Sequence, residues 1–396
     1  MKNTLNLFIL ILLSSCSVDN SQENSFVINT QDDMYHAPVF TDLPNTNYED
    51  NTVVCLQVGE KLVPGQIERI NESTSRLWFI AEQKAGTSTT YSLSDSQQCS
   101  NESYSWKQAD NISTQLVLND QPVISYEYPV YDRDNYSATK KPFHQVYDPL
   151  GNGLITKGLG GLYPHHRGIY FGYNHVYVGE SDKQIDIWHA RDGERSEHSG
   201  FVKEFSGPVM GGHIVSIEWK DHDGVPFIEE TREIRVFKQP NGESLIDFKS
   251  TLRALDKPVT LGGDRQHAGV QFRAAQEVVE NAESTRFIRP SDWSHVDPTT
   301  EIEEEDMMNL PWNAMHFQIE DRPYTVAYIS HPDNPDNAEM SERRYGRFGE
   351  FIKHELTKDD PFQLSYRFWI KSGQVPDSDV LDLKNKAYAN MASVQK

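Results

Sequence analysis

From residue 113 onward the chain is written in short apolar or alternating runs separated by turn residues, and this spacing constrains its fold more than any other feature. "TQLVLND", "ISYEYPV", "GIYFGYNHVYV", "GHIVSIEWKD", "TREIRVFK", "SLIDFKSTLRAL", "VTLGG", "AGVQFRAA", "TVAYIS" and "FQLSYRFWIK" each read as strands. "DPLGNG", "DHDG" and "QPNGES" supply turns between them. Such a series predicts an all-β protein, a large antiparallel β-sandwich. The best helical period is "DVLDLKNKAYANM" near the C-terminus. Hydrophobic residues make up only 37%, but 18 Phe, 18 Tyr and 7 Trp supply large buried areas.

Five segments are expected. Residues 1–16, "MKNTLNLFILILLSSC", have a basic start, an apolar stretch too short to span a bilayer, and small residues before Cys16. They read as a signal peptide, and "LSSC" resembles a bacterial lipobox, which makes Cys16 the expected lipidation site and the cell envelope the expected location. Residues 17–50, rich in Asn, Asp, Ser and Thr, read as a flexible tether. Residues 51–112 read as a small N-terminal β module, 113–375 as the main sandwich and 376–396 as a partly helical tail. Cys55 and Cys99, an even pair in an oxidising compartment, are expected to form a disulfide closing the module.

The formal net charge is −22, from 37 basic and 59 acidic residues. A surface this negative repels phosphate backbones, so no nucleic-acid partner is expected, and membrane contact is expected only through the lipid. Walker A, G-x-S-x-G, H-E-x-x-H and Rossmann fingerprints are all missing from the sequence. The acidic run "EIEEED" (301–306) reads as a solvated loop.

The chemistry-bearing residues gather at strand ends. Of 14 histidines, His165 and His166 fall in "YPHHRG", His189 in "DIWHARDG", His198 in "SEHSG", His267 in "RQHAGVQFR" and His331 in "ISHPDNP". If "HHR" continues a strand, its neighbours point to opposite faces, so one of the two histidines faces a cleft and Arg167 shares the face of His165. "SERRYGRFGE" adds Arg343, Arg344 and Arg347 around Tyr345, and "QFRAA" adds Arg273. Arginine can clamp a carboxylate in a bidentate way while His or Tyr moves a proton beside it.

"YPHHRGIYFGYN", "DIWH", "STLRAL", "HAGVQFR", "ISHPDNP" and "RRYGRFGE", in this order, resemble the methane oxygenase PmoA-like family over residues 115–373. The oxygenase name does not fit a chain with no transmembrane run after its signal. The resemblance implies a β-sandwich of the galactose-mutarotase type and a carbohydrate-processing setting. It implies His165, His166, Arg167, Trp188, His331, Arg343 and Tyr345 as site positions. Family members carry an acidic residue before the glycine where this chain has His267 in "RQHAGVQFR", which implies a different acid–base assignment here.

The leading expectation is a polysaccharide lyase-like β-elimination on an acidic glycan, with catalytic residues His165, His166, Arg167, His267 and Tyr345. Trp188, His189, His198, Arg273, His331 and Arg343 are the expected substrate-binding residues, and Trp188 and Trp293 could stack on sugar faces. Three alternatives stand beside it. One is hydrolysis by two carboxylates, with Asp186 and Asp264 as examples. Another is a metal-assisted enzyme using two or three of His165, His166, His189, His198 and His267 on one divalent ion. The third is a glycan-binding lipoprotein without chemistry. No metal ligand or cofactor is assigned in the leading reading, and a divalent metal belongs to the second alternative.

Overall fold

The computed structural model describes residues 25–390 except 45, 47, 97 and 303–306. The signal peptide and Cys16 therefore lie outside the described residues. Every strand pair is antiparallel.

The main domain is an all-β sandwich of two eight-stranded sheets. The first sheet runs, edge to edge, through Glu339–Arg343, Arg347–Phe351, Ala268–Arg273 and Ile169–Tyr173, then Phe143–Val146, Gln121–Glu127, Ser113–Leu118 and Tyr104–Asp110. The second runs through Arg195–Phe205, Met210–Lys220, Pro226–Phe237 and Glu243–Ala254, then Phe362–Ser372, Arg322–Ser330, Trp312–Ile319 and Arg286–Ile288. A three-stranded sheet of His175–Val178, Val259–Gly262 and His354–Leu356 adjoins them. Alternation makes the interior: Val215, Ile217 and Trp219 of one strand point inward and are fully buried. Across the sandwich, Phe171 meets Trp219 with ring centroids 5.4 Å apart, and Phe272 meets Phe368 at 6.1 Å.

The tether expectation needs correction. Ser25–Asn29 and Met34–Pro44 are strands of a six-stranded N-terminal sheet, completed by Ser88–Ser94, Val53–Val58, Lys61–Asn71 and Thr74–Gln83. Phe26, Ile28, Val39 and Leu43 enter its core, which removes enough apolar surface from water to order a polar stretch. The module's sheet ends at Ser94, and Tyr104–Asp110 is the edge strand of the main domain. A Cys55–Cys99 disulfide ties the module's last residues to its sheet.

The module and the C-terminal helix Ser378–Ala389 cover the outer face of the second sheet, where Trp78, Phe205, Trp312, Trp369, Leu381 and Tyr388 share one cluster. Arg235 of that sheet reaches Glu68 of the module through Nη1 at 2.7 Å and Nη2 at 2.8 Å. No helix among the described residues is long and apolar enough to cross a membrane. At the start of "EIEEED", Ile302 is buried and donates its N–H to Glu342 Oε2 at 3.0 Å, so this end of the run is packed, not solvated.

Glu350, on the strand Arg347–Phe351, is fully buried with Ser330 Oγ donating to its Oε1 at 2.7 Å. Burial pushes its carboxyl from 4.5 up to about 7. The folded protein therefore holds this proton more tightly than the unfolded chain does. Its favourable contribution is full below pH 4.5 and is lost as pH rises through 7, a change of about 3 kcal/mol. Glu350→Gln is expected to be more stable than the parent at pH 8 and to show little difference at pH 4.5. Equal gaps in melting temperature at both pH values would contradict this assignment.

Candidate active site

The first sheet's strand Ile169–Tyr173 is entered through a tight turn, and that turn positions the paired histidines. Tyr163 sits at φ 53° and accepts the His166 N–H at 2.9 Å. Gly168, at φ 47°, passes so close to the neighbouring strand that a Cβ there would lie 1.9 Å from the His144 carbonyl oxygen. Lys157 Nζ braces the turn by donating to the carbonyl of His166 at 3.1 Å. His165 and His166 are thus in a turn, and the strand-alternation argument does not apply to them. Their rings lie 4.2 Å apart at 80°.

The other two histidines are held by one local device used twice, Asp-x-x-His. In "DIWH" the ring Nδ1 of His189 lies 2.8 Å from Asp186 Oδ2, and the His189 N–H donates to Asp186 Oδ1 at 2.8 Å. In "DRQH" the ring Nδ1 of His267 lies 2.9 Å from Asp264 Oδ1. Burial pushes both carboxyls up, but the histidine and backbone hydrogen bonds outweigh it and hold each below its ordinary value. An ionised carboxylate only accepts, so Nδ1 carries a proton in both rings. With His165 they form a trio, one ring nitrogen from each lying within 4.8 Å of the others. Burial, with Lys141 and His189 nearby, pushes His165 down to about 2, so its ring is neutral. Such a trio could hold a metal ion.

Beside the trio lie the buried His166, Tyr170, Trp188 and Arg273, with the half-buried Tyr345 among them. Both ring nitrogens of His166, the Tyr170 hydroxyl, the Trp188 indole nitrogen and the Nε and Nη2 of Arg273 have no hydrogen-bond partner among the described residues. Arg273 Nη1 donates to the carbonyl oxygens of Ala274 and Tyr345, and its guanidinium lies 5.0 Å from the Tyr345 ring centre. Burial lowers Arg273 to about 10, which leaves it charged at neutral pH. Tyr345 accepts from Arg347 Nε at 3.2 Å, which leaves its own O–H to donate elsewhere. Arg347 also bonds Gln271 and Ser341.

His165, His166, His189, His267, Trp188, Arg273 and Tyr345 are therefore brought together. Arg167 takes another place: its guanidinium donates to the carbonyls of Ser137, Ala138 and Pro164 and ties the turn to the short helix Tyr136–Thr139. His198 belongs to a separate cluster, 3.1 Å from the Tyr126 hydroxyl. His331 packs on Tyr388 of the C-terminal helix, and Arg343 is engaged by the Glu342 carbonyl. Trp188 is fully buried and cannot be an open sugar platform, and Trp293 stacks on His295 elsewhere. Tyr170 and Lys141 also pack here, beside Trp188. Lys141 Nζ donates to the Trp188 carbonyl at 2.7 Å, and "KKPFH", two lysines ahead of a strand, was its available signal.

The fold and this constellation define an all-β sandwich domain with a histidine-rich polar site at the entrance to its first sheet. The chain belongs to DUF6807, a family of unknown function whose profile matches residues 113–384. Among curated proteins no match to the chain is found.

Proposed function

We propose that the protein is a carbohydrate-active enzyme of the cell envelope that cleaves an acidic glycan by β-elimination. The observation that supports this most is the set of buried side chains, His166 and the donors on Arg273, Tyr170 and Trp188, that lack partners among the described residues. Buried polar atoms are costly when unpaired, and an anionic polar ligand would satisfy them. In the proposed step Arg273 pairs with the uronate carboxylate and makes the adjacent C–H more acidic. His166 takes that proton, the C–H electrons form the new C=C bond, and the bond to the leaving oxygen breaks. Tyr345 gives its proton to that oxygen. Hydrolysis by paired carboxylates is less well supported, since Asp186 and Asp264 are each committed to a histidine. The envelope location rests on the proposed lipid at Cys16, and Cys16→Ala is expected to move the protein from the membrane fraction to the soluble one.

The test incubates protein lacking residues 1–16 with acidic and neutral glycans while ultraviolet absorbance and reducing ends are followed together. New absorbance on an acidic glycan is expected, falling by about 10²–10⁴-fold in a folded His166→Ala variant. Reducing ends without absorbance would replace elimination by hydrolysis. Tight binding without either signal would make the protein a glycan-binding lipoprotein.

A further inference from the structure

The geometry points to a binding site for a divalent first-row transition ion of the zinc class, formed by His165, His189 and His267. Three features carry this inference. One ring nitrogen of each residue lies within 4.8 Å of the other two. A tetrahedral ion bound at 2.0–2.1 Å needs ligand nitrogens about 3.3 Å apart, so the three rings would draw together by up to about 1.5 Å on binding. The Asp186 and Asp264 carboxylates hold Nδ1 of His189 and His267, the carboxylate–histidine arrangement that fixes tautomer and ring direction behind a metal. All three histidines are half-buried, so a fourth position can open to solvent or to a substrate oxygen.

Groups of both signs surround the trio. The two aspartates supply two negative charges directly behind the ligands. Lys140 and Lys141 lie nearby and donate to the carbonyls of His189 and Trp188. His166 is excluded from the set because it lies in the buried layer against Tyr170 and Trp188, and His198 because it lies in the Tyr126 cluster. Three imidazole donors suit zinc, copper, iron or nickel rather than magnesium or calcium, which prefer oxygen donors.

The inference concerns binding alone and stands apart from the glycan reading, so its test contains no glycan. The chain lacking residues 1–16 would be stripped with chelator and titrated with Zn²⁺ against a chromophoric chelator, then loaded with Co²⁺ for its visible spectrum. One equivalent per chain and a four-coordinate Co²⁺ spectrum are expected. Asp186→Asn and Asp264→Asn, which keep side-chain volume, are expected to weaken Zn²⁺ by about 10–100-fold each. His189→Ala and His267→Ala are expected to abolish stoichiometric binding, with circular dichroism and melting checked for each. His198→Ala should bind like the parent. Substoichiometric Zn²⁺, or equal binding in the folded His189→Ala and His267→Ala variants, would overturn the site. Metal binding without elimination would leave this site standing and sink the lyase reading, and elimination without metal binding would do the reverse.

Discussion

Arg273→Met is expected to lower kcat/KM on an acidic glycan by about 30- to 3,000-fold. Removing one partner of a buried, hydrogen-bonded charge pair costs about 2–5 kcal/mol, and each 1.4 kcal/mol is a factor of ten. Arg273 is fully buried, and two of its guanidinium nitrogens lack partners among the described residues, so a bound carboxylate would meet little competition from water. Arg273→Lys keeps the charge but loses the fork and should recover only part of the rate. The effect should be specific to charge: on the methyl-esterified glycan, parent and Arg273→Met should act alike. An equal loss on both substrates would assign Arg273 to holding the Tyr345 loop, through its bonds to Ala274 and Tyr345, instead of to the substrate.

The second large effect concerns how the N-terminal module is attached. Glu68 and Arg235 keep only 6% and 11% of their side-chain surface exposed. Burial pushes the Glu68 carboxyl up, but Arg235 overrides this and holds it below its ordinary value. Arg235→Met would leave Glu68 buried with Trp78 Nε1, 2.8 Å away, and the more distant Lys203 as partners. A loss of about 3–5 kcal/mol is expected, because the remaining charge stays uncompensated. Adding Glu68→Leu should restore most of it, since apolar replacement of a buried pair is often neutral. Urea unfolding at pH 7 reads both; a loss below about 1 kcal/mol in the single variant would mean that this pair behaves as a solvated one.

The sandwich was legible because its strands are long and one face of each is buried. In Met210–Lys220 the inward Val215, Ile217 and Trp219 alternate with partly exposed residues, which is the pattern read from the sequence. The strands before residue 50 were not legible. "SFVIN" commits only Phe26 and Ile28 to a core, and the polar composition around it hides so short an alternation. At the site, residue types were legible and geometry was not. A tyrosine at positive φ before "HHR" cannot be inferred from periodicity, so the sequence does not decide between a strand and a turn there. The acceptors of Arg167 are backbone carbonyls, two of them about thirty residues upstream, and no motif announces them. Asp186 and Asp264 drew attention only as separate carboxylates for hydrolysis. Their shared spacing to a histidine was in view, yet only the fold shows that each faces its own ring.

That shared spacing has a consequence for how the site responds to distant change. In each Asp-x-x-His unit the ring and its carboxylate belong to one turn, so a shift of the supporting strand carries both together. A substitution in the core beneath Ala268–Arg273 would translate His267 without swinging its ring, and the same holds for His189 on its own segment. Angular error is suppressed locally at both histidines, while the gaps among the three rings depend on how separate parts of the sandwich pack. Remote mutations should therefore tune this site through spacing, leaving tautomer and ring aim intact, so that families of variants differ in strength of ligand capture before they differ in kind.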